Sequence, residues 1–361
     1  MITRKQLTTM AINAIVVKML VTFPRTLFEY CANTAWIACV FFSVVAWLLF
    51  LTVQNLYKSD ANVIGTAEKI GGSGLRVCTG LLVFAVLGAN IIGIFRTFPE
   101  IIRLVLLQKT YVEIIVTVFV LCIIFGAMCG IEAIARVTEI FIPVAGVIFA
   151  VFLLMLLPEM NIDYLFPILG NGIYSIAVKG ISCMSLFTDL LLINILIPYA
   201  KTLDCYKKSG SRSIIIGGVC AVSIFLAYGL CYVYPASKNF IVPIYQLERL
   251  IHLSDFFSRL EAAFQFIWSI AIILYIALYA AVLSEVWRES FALKHSKPLI
   301  APVVLVIAGV SMLPGSLNSM IYIEQIINKF IFIPAFLLPL IIGAIHKAKM
   351  FHVKQKGENK R

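Results

Sequence analysis

Between Lys179 and Lys201 runs an apolar stretch, GISCMSLFTDLLLINILIPYA from Gly180 to Ala200, with one carboxylate, Asp189, almost midway. At about 1.5 Å of rise per helical residue such a stretch covers roughly the hydrocarbon thickness of a bilayer, which places Asp189 near the midplane. A central Asp costs about 2.5 to 3.5 kcal/mol to insert, so it has to face the protein interior and be answered by a partner, a proton or a small polar ligand. Ser182, Ser185 and Thr188 stand around it, with hydroxyls suited to hold backbone carbonyls where a helix opens. Pro198 removes a backbone donor near the end of the stretch. Two readings follow: a protonated Asp that joins two helices, or a carboxylate kept for recognition.

The rest of the chain has the same character. Hydrophobic residues make up 61% and charged residues 13% of 361, and mean hydropathy is +1.01. This is the composition of a polytopic, all-α membrane protein with no room for a folded soluble domain. A single transmembrane domain is expected over 1–361, with a first half at about 6–160, a second half at about 172–347, and a basic cytoplasmic tail at 348–361. The net charge of +11 collects in short loops and in that tail, which points to membrane lipid and topology and away from nucleic acid. Nine cysteines lie mostly in apolar runs without a CxxC pair, and the four histidines have no metal-ligand spacing, so no metal and no cofactor are expected. Arg4 and Lys5 precede a run that Lys18 interrupts, with no small-residue cleavage site, which reads as a retained first span.

Charge-free runs define ten spans: Leu7 to Phe23, within Tyr30 to Tyr57, Val77 to Phe95, Ile114 to Ile131, Ile140 to Pro158, Gly180 to Ala200, within Ser213 to Ser237, within Ala262 to Ser284, Pro298 to Tyr322, and Phe330 to Ile345. With the N-terminus inside, 19 lysines and arginines fall in inside segments and nine in outside loops, so both termini are expected in the cytoplasm. GGSG at Gly71 to Gly74 reads as a turn before the third span, since no strand precedes it and no Lys-Ser/Thr pair follows. GIEAIARVTEI is taken as the link between spans four and five. NFIVPIYQLERLIHLSDFFSRLE puts Ile244, Leu247, Ile251 and Leu260 near one helical face and Glu248, Arg249 and Asp255 elsewhere, an amphipathic helix over the outer mouth.

Interruptions in the first and sixth of ten spans suggest two inverted five-helix halves, because inverted-repeat transporters carry broken helices at corresponding positions. In span one the interruption is Lys18, followed by Pro24-Arg25. Lys18 and Asp189 either form an ion pair or alternate as partners for the charged groups of a zwitterionic ligand, or else Lys18 snorkels to the outer interface. Glu132, Glu139, Arg136 and Arg96 read as loop or helix-end charges that set packing between subunits. Trp36, Trp47 and Trp287 fit interfacial belts or helix packing, and Pro314-Gly315 ends or bends span nine.

Four further stretches carry a resemblance: FPRTLFEYCANTAWIA at Phe23 to Ala38, GIEAIARVTEIFIP at Gly130 to Pro143, the LFTD…IPY segment at Leu186 to Tyr199, and YQLERLIHLSDFFSRLEAAFQFIW at Tyr245 to Trp268. In their order and spread the chain resembles the B subunits of spore germinant (nutrient) receptors, within the amino acid, polyamine and organocation transporter superfamily. The resemblance implies a LeuT-like 5+5 fold with broken helices 1 and 6, and a place in the spore inner membrane. It also implies work beside an A subunit and a lipoprotein C subunit, and sensing of an amino acid or similar small nutrient that leads to ion release. Carried onto matching positions, the implied ligand pocket between spans 1, 3, 6 and 8 takes Val17, Lys18, Ala89, Asn90, Ser185, Thr188, Asp189, Trp268 and Tyr275. The chain departs from the family's pattern where AIVVKML replaces glycines in the first span and FTD replaces a Gly-Glu pair in the sixth. These departures leave an unusual ligand, or a subunit without a pocket of its own, as alternatives.

Three functions fit these residues: a non-enzymatic receptor subunit, a proton-coupled amino acid secondary transporter using Asp189 or Lys18, and a scaffold that only holds partners. An intramembrane enzyme is not expected, because HExxH, GxSxG and paired intramembrane carboxylates are missing from the chain.

Overall fold

With no water in the hydrocarbon core, every backbone donor has to bond within its own segment, and in the computed structural model the chain is almost wholly helical. The structure describes residues 1–21, 23–57, 61–169, 172–240, 242–251 and 260–358, apart from the side chains of 238, 260, 261 and 352–358. Among the described residues seven helices are long and apolar enough to cross a membrane, and two shorter apolar helices, Val112–Met128 and Lys297–Met312, add to them. The buried first segment completes a set of about ten.

That first segment is broken. Helix α1 (Arg4–Met19) starts with a capping box in which Thr3 and Gln6 satisfy each other's backbone donors. It stops one residue after Lys18, and α2 (Phe23–Cys31) restarts with Pro24 in its first turn, where a missing N–H costs nothing. The segment therefore runs well past Phe23, and α3 (Ala35–Gln54) follows after a short 3-10 turn. Helix α4 (Val63–Val105) is bent at Gly71 and Gly72; the positive φ of Gly72, 70°, is the conformation that glycine permits, so the GGSG turn stands where expected.

The bounds of the third and fifth spans differ from the sequence reading. Helices α5 (Val112–Met128) and α6 (Ile131–Leu156) are joined by Cys129 and Gly130 alone. IEAIARVTEI is thus the opening of α6 and not a loop, because Gly130 at φ 89° turns the chain within one residue. The sequence reading placed Arg96 at a helix end, but it lies inside α4 and pairs with Glu100 at 3.2 Å, both largely buried. Glu132 does sit in the first turn of α6, where the N-terminal amine reaches it.

The sixth segment is the least regular. A π-helical turn at Ser175–Lys179 leads into a 3-10 stretch at Gly180–Phe187, then a turn at Thr188 and Asp189, the short helix α7 (Leu190–Ile195), and a last 3-10 turn at Ile197–Tyr199. Runs of 3-10 helix beyond three or four residues are uncommon and mark strain or a hinge. The 21-residue helix expected here is in fact two half-segments meeting at Asp189.

Helix α8 (Leu203–Cys231) is capped by Thr202. Helix α9 (Pro243–Leu250) is amphipathic as expected for Ile244, Leu247 and Ile251, but Glu248 is fully buried on the same face; Asp255 and the side chain of Leu260 lie outside the described residues. After α10 (Leu260–Ser290), span nine ends early. Helix α11 (Ile300–Met312) stops before Pro314-Gly315, and residues up to 330 form α12 (Leu317–Phe330), which feeds α13 (Phe332–Glu358). Pro314 cannot donate, and Gly315 lets the chain restart at a new angle.

Helix α1 is buried on nearly every side and packs on α6, α8 and α10. The outer helices show the opposite pattern: Val137, Ile140, Val144, Val147, Val151 and Leu154 form an exposed apolar stripe at helical spacing along α6, a face for lipid. The first and sixth segments are also tied at their ends, with Ile2 N–H donating to Tyr199 O at 2.8 Å and Lys201 N–H to Ile2 O at 3.2 Å. Nearby, Asn62 donates to Glu289 at 2.8 Å and Arg76 to Ser290 O at 3.2 Å, joining α4 to α10.

Close approach of α3 to α8 depends on Gly210, where an added Cβ would stand 2.0 Å from the ring of buried Phe50. Gly210→Ala is expected to cost about 1–3 kcal/mol, the range for overpacking. Gly146→Ala, with nothing within 4 Å, should leave the melting temperature in detergent within about a degree.

Candidate functional site

The two breaks face each other. Lys18, in the last turn of α1, extends its ammonium across to the turn between the halves of the sixth segment, where Nζ lies 2.8 Å from Asp189 Oδ2. It also donates to Ser185 O at 2.8 Å, Thr188 Oγ1 at 2.8 Å and Asn90 Oδ1 at 3.1 Å. Four acceptors surround three N–H protons, so the ammonium is fully satisfied. Lys18 is 7% exposed and Asp189 0%. The snorkelling alternative is thereby ruled out, and the expected ion pair is present.

The carboxylate has a second set of donors. Tyr275 OH donates to Asp189 Oδ1 at 3.2 Å, and Tyr279 OH bonds to the same oxygen. One helical turn apart on α10, the two phenols stand side by side with ring centroids 4.7 Å apart. Thr188 Oγ1 approaches both Ser185 O at 2.7 Å and Asn90 Oδ1 at 2.8 Å, and its single proton serves one of them at a time. Asn90 Nδ2 is held by Val86 O at 3.3 Å, which aims the amide oxygen at Lys18.

Beside the ammonium lies a cavity of about 10 Å³ bounded by Ala89, Asn90, Gly93, Glu324 and Asn328, room for about one water molecule. Gly93 makes this possible: a Cβ there would come within 2.9 Å of the Glu324 carboxyl carbon, so α12 can bring that side chain onto α4 only against a glycine.

Of the nine residues singled out in the sequence, Lys18, Asn90, Thr188, Asp189 and Tyr275 meet directly. Ser185 contributes its carbonyl, while its buried hydroxyl has no partner among the described residues. Ala89 lines the cavity. Val17 serves through its backbone, accepting from Leu20 N at 3.0 Å where α1 ends. Trp268 does not join them. Two turns from Tyr275, its indole donates to Glu248 of α9 at 2.8 Å, so it anchors the overlying helix. Sequence reading missed Tyr279, which the i, i+4 spacing from Tyr275 would have given. It also missed Glu324 and Asn328, hidden because span nine was carried past Pro314.

A helical membrane bundle whose first and sixth segments break at a shared buried polar centre is a LeuT-like, transporter-type architecture. Among solved structures, that of Mhp1, a nucleobase-cation-symport-1 family transporter in a closed conformation with bromovinylhydantoin bound, is similar to it: TM-score 0.61 at 13% identity, covering 90% of this chain and 75% of that one. The chain belongs to the spore germination protein family, whose model matches residues 1–320. It is 21% identical to spore germination protein A2 of Bacillus subtilis (strain 168), over 90% of this chain and 89% of that protein. It is 24% identical to spore germination protein YndE of the same organism, over 96% of both.

Removing one member of a buried pair strands the other, typically at about 3–5 kcal/mol, whereas replacing both by apolar groups is often close to neutral. Lys18→Met alone should therefore lower the melting temperature more than Lys18→Met combined with Asp189→Leu. Tyr279→Phe, which deletes a hydrogen bond to a charged group, should cost about 1.5–3 kcal/mol. Thermal denaturation of the purified protein followed by size-exclusion fluorescence reads all three.

Proposed function

We propose that this chain is the integral-membrane subunit of a spore germination nutrient receptor. It binds a small germinant such as an amino acid at the Lys18–Asp189 centre and passes the change in conformation to an A subunit and a lipoprotein C subunit. The observation that carries this reading is the fourfold cradle of Lys18: Asp189, Ser185 O, Thr188 and Asn90. Those acceptors are the set that would hold the ammonium of a free amino acid, and here a tethered one occupies them. A ligand ammonium competes with Lys18 for the cradle; the displaced lysine is then free to meet the ligand carboxylate.

The competition supplies the signal. With the cavity beside Lys18 at about 10 Å³, the ligand requires a conformer in which Lys18 has withdrawn and the two breaks have opened. Its differential affinity for that conformer shifts the population toward signalling. The whole chain then acts as one transmembrane domain in the spore inner membrane, with both termini and the basic tail on the core side, where lysines and arginines are most frequent.

A second reading, a proton-coupled amino acid transporter, draws on Asp189 as a buried carboxylate bonded to both an amine and two phenols, a group that protonation would release from Lys18. Spores carrying Asp189→Asn or Lys18→Gly, measured for nutrient dose-response, decide between the roles. The receptor reading expects the half-maximal nutrient concentration to move by tenfold or more in both variants. An unchanged response would leave the chain a scaffold, and concentrative amino acid uptake into vesicles holding this chain alone would make it a transporter.

A further inference from the structure

The outer surface of the bundle is indented where α3 and α8 meet. Trp47 and the exposed Val44 of α3, with the exposed Ile215 and Val219 of α8, wall a groove of about 340 Å³. Its floor is low because two small residues oppose each other there: Gly218 has no side chain, and a Cβ added to it would stand 3.1 Å from Ser43 Oγ. The side-chain donors of the lining are already spent. Ser43 Oγ donates back to Cys39 O at 2.6 Å, Ser223 Oγ to Val219 O at 2.9 Å, and the Trp47 indole to Ser211 Oγ at 2.7 Å. A concave surface of this kind gives a polar ligand little in return for its desolvation, and suits hydrocarbon.

The groove also has a definite length and one charged end. It follows α8 from Ile214 to Ser223, about 14 Å at roughly 1.5 Å per residue, close to half of a hydrocarbon core about 30 Å thick. It begins where the charges stop. Helix α8 carries Asp204, Lys207, Lys208 and Arg212 ahead of the groove, and no charged residue from Ser213 to Cys231. Arg212 is exposed and shares a helical stripe with Ile215 and Val219, while Lys207 shares the neighbouring stripe with Ile214 and Gly218. Lys208 is held by Asp204 at 2.9 Å, whereas Lys207 and Arg212 have no acidic partner among the described residues. Two cations at the head of an apolar slot one leaflet deep complement a single amphiphile with a negative headgroup.

We propose that the groove between α3 and α8 binds one acyl chain of an anionic membrane phospholipid whose phosphate meets Arg212 and Lys207. The site is separate from the Lys18–Asp189 centre and does not depend on what that centre binds. The guanidinium offers the phosphate a planar pair of donors, and the lysine adds a point charge. Trp47, at the charged end, stands at the depth where headgroup gives way to acyl chain, the usual place of an interfacial indole. The opposite side of α8 closes on α1: at Gly217 a Cβ would come within 2.8 Å of Ile15. The helix that holds the lipid is thus one against which the Lys18 segment packs.

The test uses the purified full chain in maltoside, an uncharged detergent, with dioleoylphosphatidylglycerol or dioleoylphosphatidylcholine added in steps. Native mass spectrometry reads the lipid retained, and thermal denaturation reads stability. One phosphatidylglycerol is expected to be retained at about tenfold lower concentration than phosphatidylcholine, with a saturable rise in melting temperature. Arg212→Gln combined with Lys207→Gln should abolish that preference while phosphatidylcholine is still retained. Val44→Phe combined with Val219→Phe fills the groove from two exposed positions; it should lose both lipids while melting in plain detergent stays within about two degrees. Equal retention of the two lipids by the native chain overturns the headgroup assignment, and unchanged retention in the double phenylalanine variant overturns the groove. Photocrosslinking from Val44→benzoylphenylalanine in phosphatidylglycerol-containing cell membranes answers even if that variant fails to fold. The expected product is a phospholipid adduct richer in phosphatidylglycerol than the one formed from Val147→benzoylphenylalanine on the exposed face of α6. The same lipid composition at both positions marks bulk lipid, and a protein adduct marks the transmembrane helix of a partner; either result overturns the proposal.

Discussion

One ion pair in a low-dielectric interior governs this structure. The Lys18 ammonium and the Asp189 carboxylate each carry a desolvation penalty of several kcal/mol, which neither offsets without the other. Both sit where a helix has stopped: Lys18 one residue before α1 ends, Asp189 at the turn before α7. The broken geometry follows from the charges. A continuous α-helix keeps its carbonyls for its own backbone, so only an opened turn offers Ser185 O to an ammonium from another segment. Asn90 from α4 and the two tyrosines from α10 then close the shell, and four segments of the bundle are fixed relative to one another by a single charged contact.

The same economy explains what was readable from sequence. Asp189 and Lys18 stood out because charge inside an apolar run has few meanings in a bilayer, and the breaks in segments one and six followed from them. Helix boundaries were harder. Hydropathy counts charge-free residues, so it shortened α6, whose first turns carry Glu132, Arg136 and Glu139, and it carried span nine on to Tyr322 although Pro314-Gly315 was read as ending or bending it. That second slip concealed Glu324, which reaches the centre only because Gly93 leaves room. Trp268 was misplaced for a related reason. A position two turns from Tyr275 on α10 shares its face but lies about 10 Å along the axis, enough to put it against α9 instead.

Burial is distributed according to role. Helix α1, which carries the ammonium, is enclosed on all sides and shows almost no polar face, whereas α6 exposes a full apolar stripe to lipid. Buried polar groups bond to one another at the central pair, at the contacts joining α4 to α10 near Asn62 and Arg76, between Arg96 and Glu100 within α4, and between Trp268 and Glu248.

The backbone bonds at Ile2 give this arrangement a mechanical sense. Ile2 is stitched to Tyr199 on one side and Lys201 on the other, so α1 and the stretch from α7 to Tyr199 are fastened at their far ends as well as at the ion pair. Held at both extremities, the two half-segments behave as a single lever with its fulcrum at Lys18 and Asp189. Any swing that admits water from the side of Met1 must carry both arms together or first unpick that stitch.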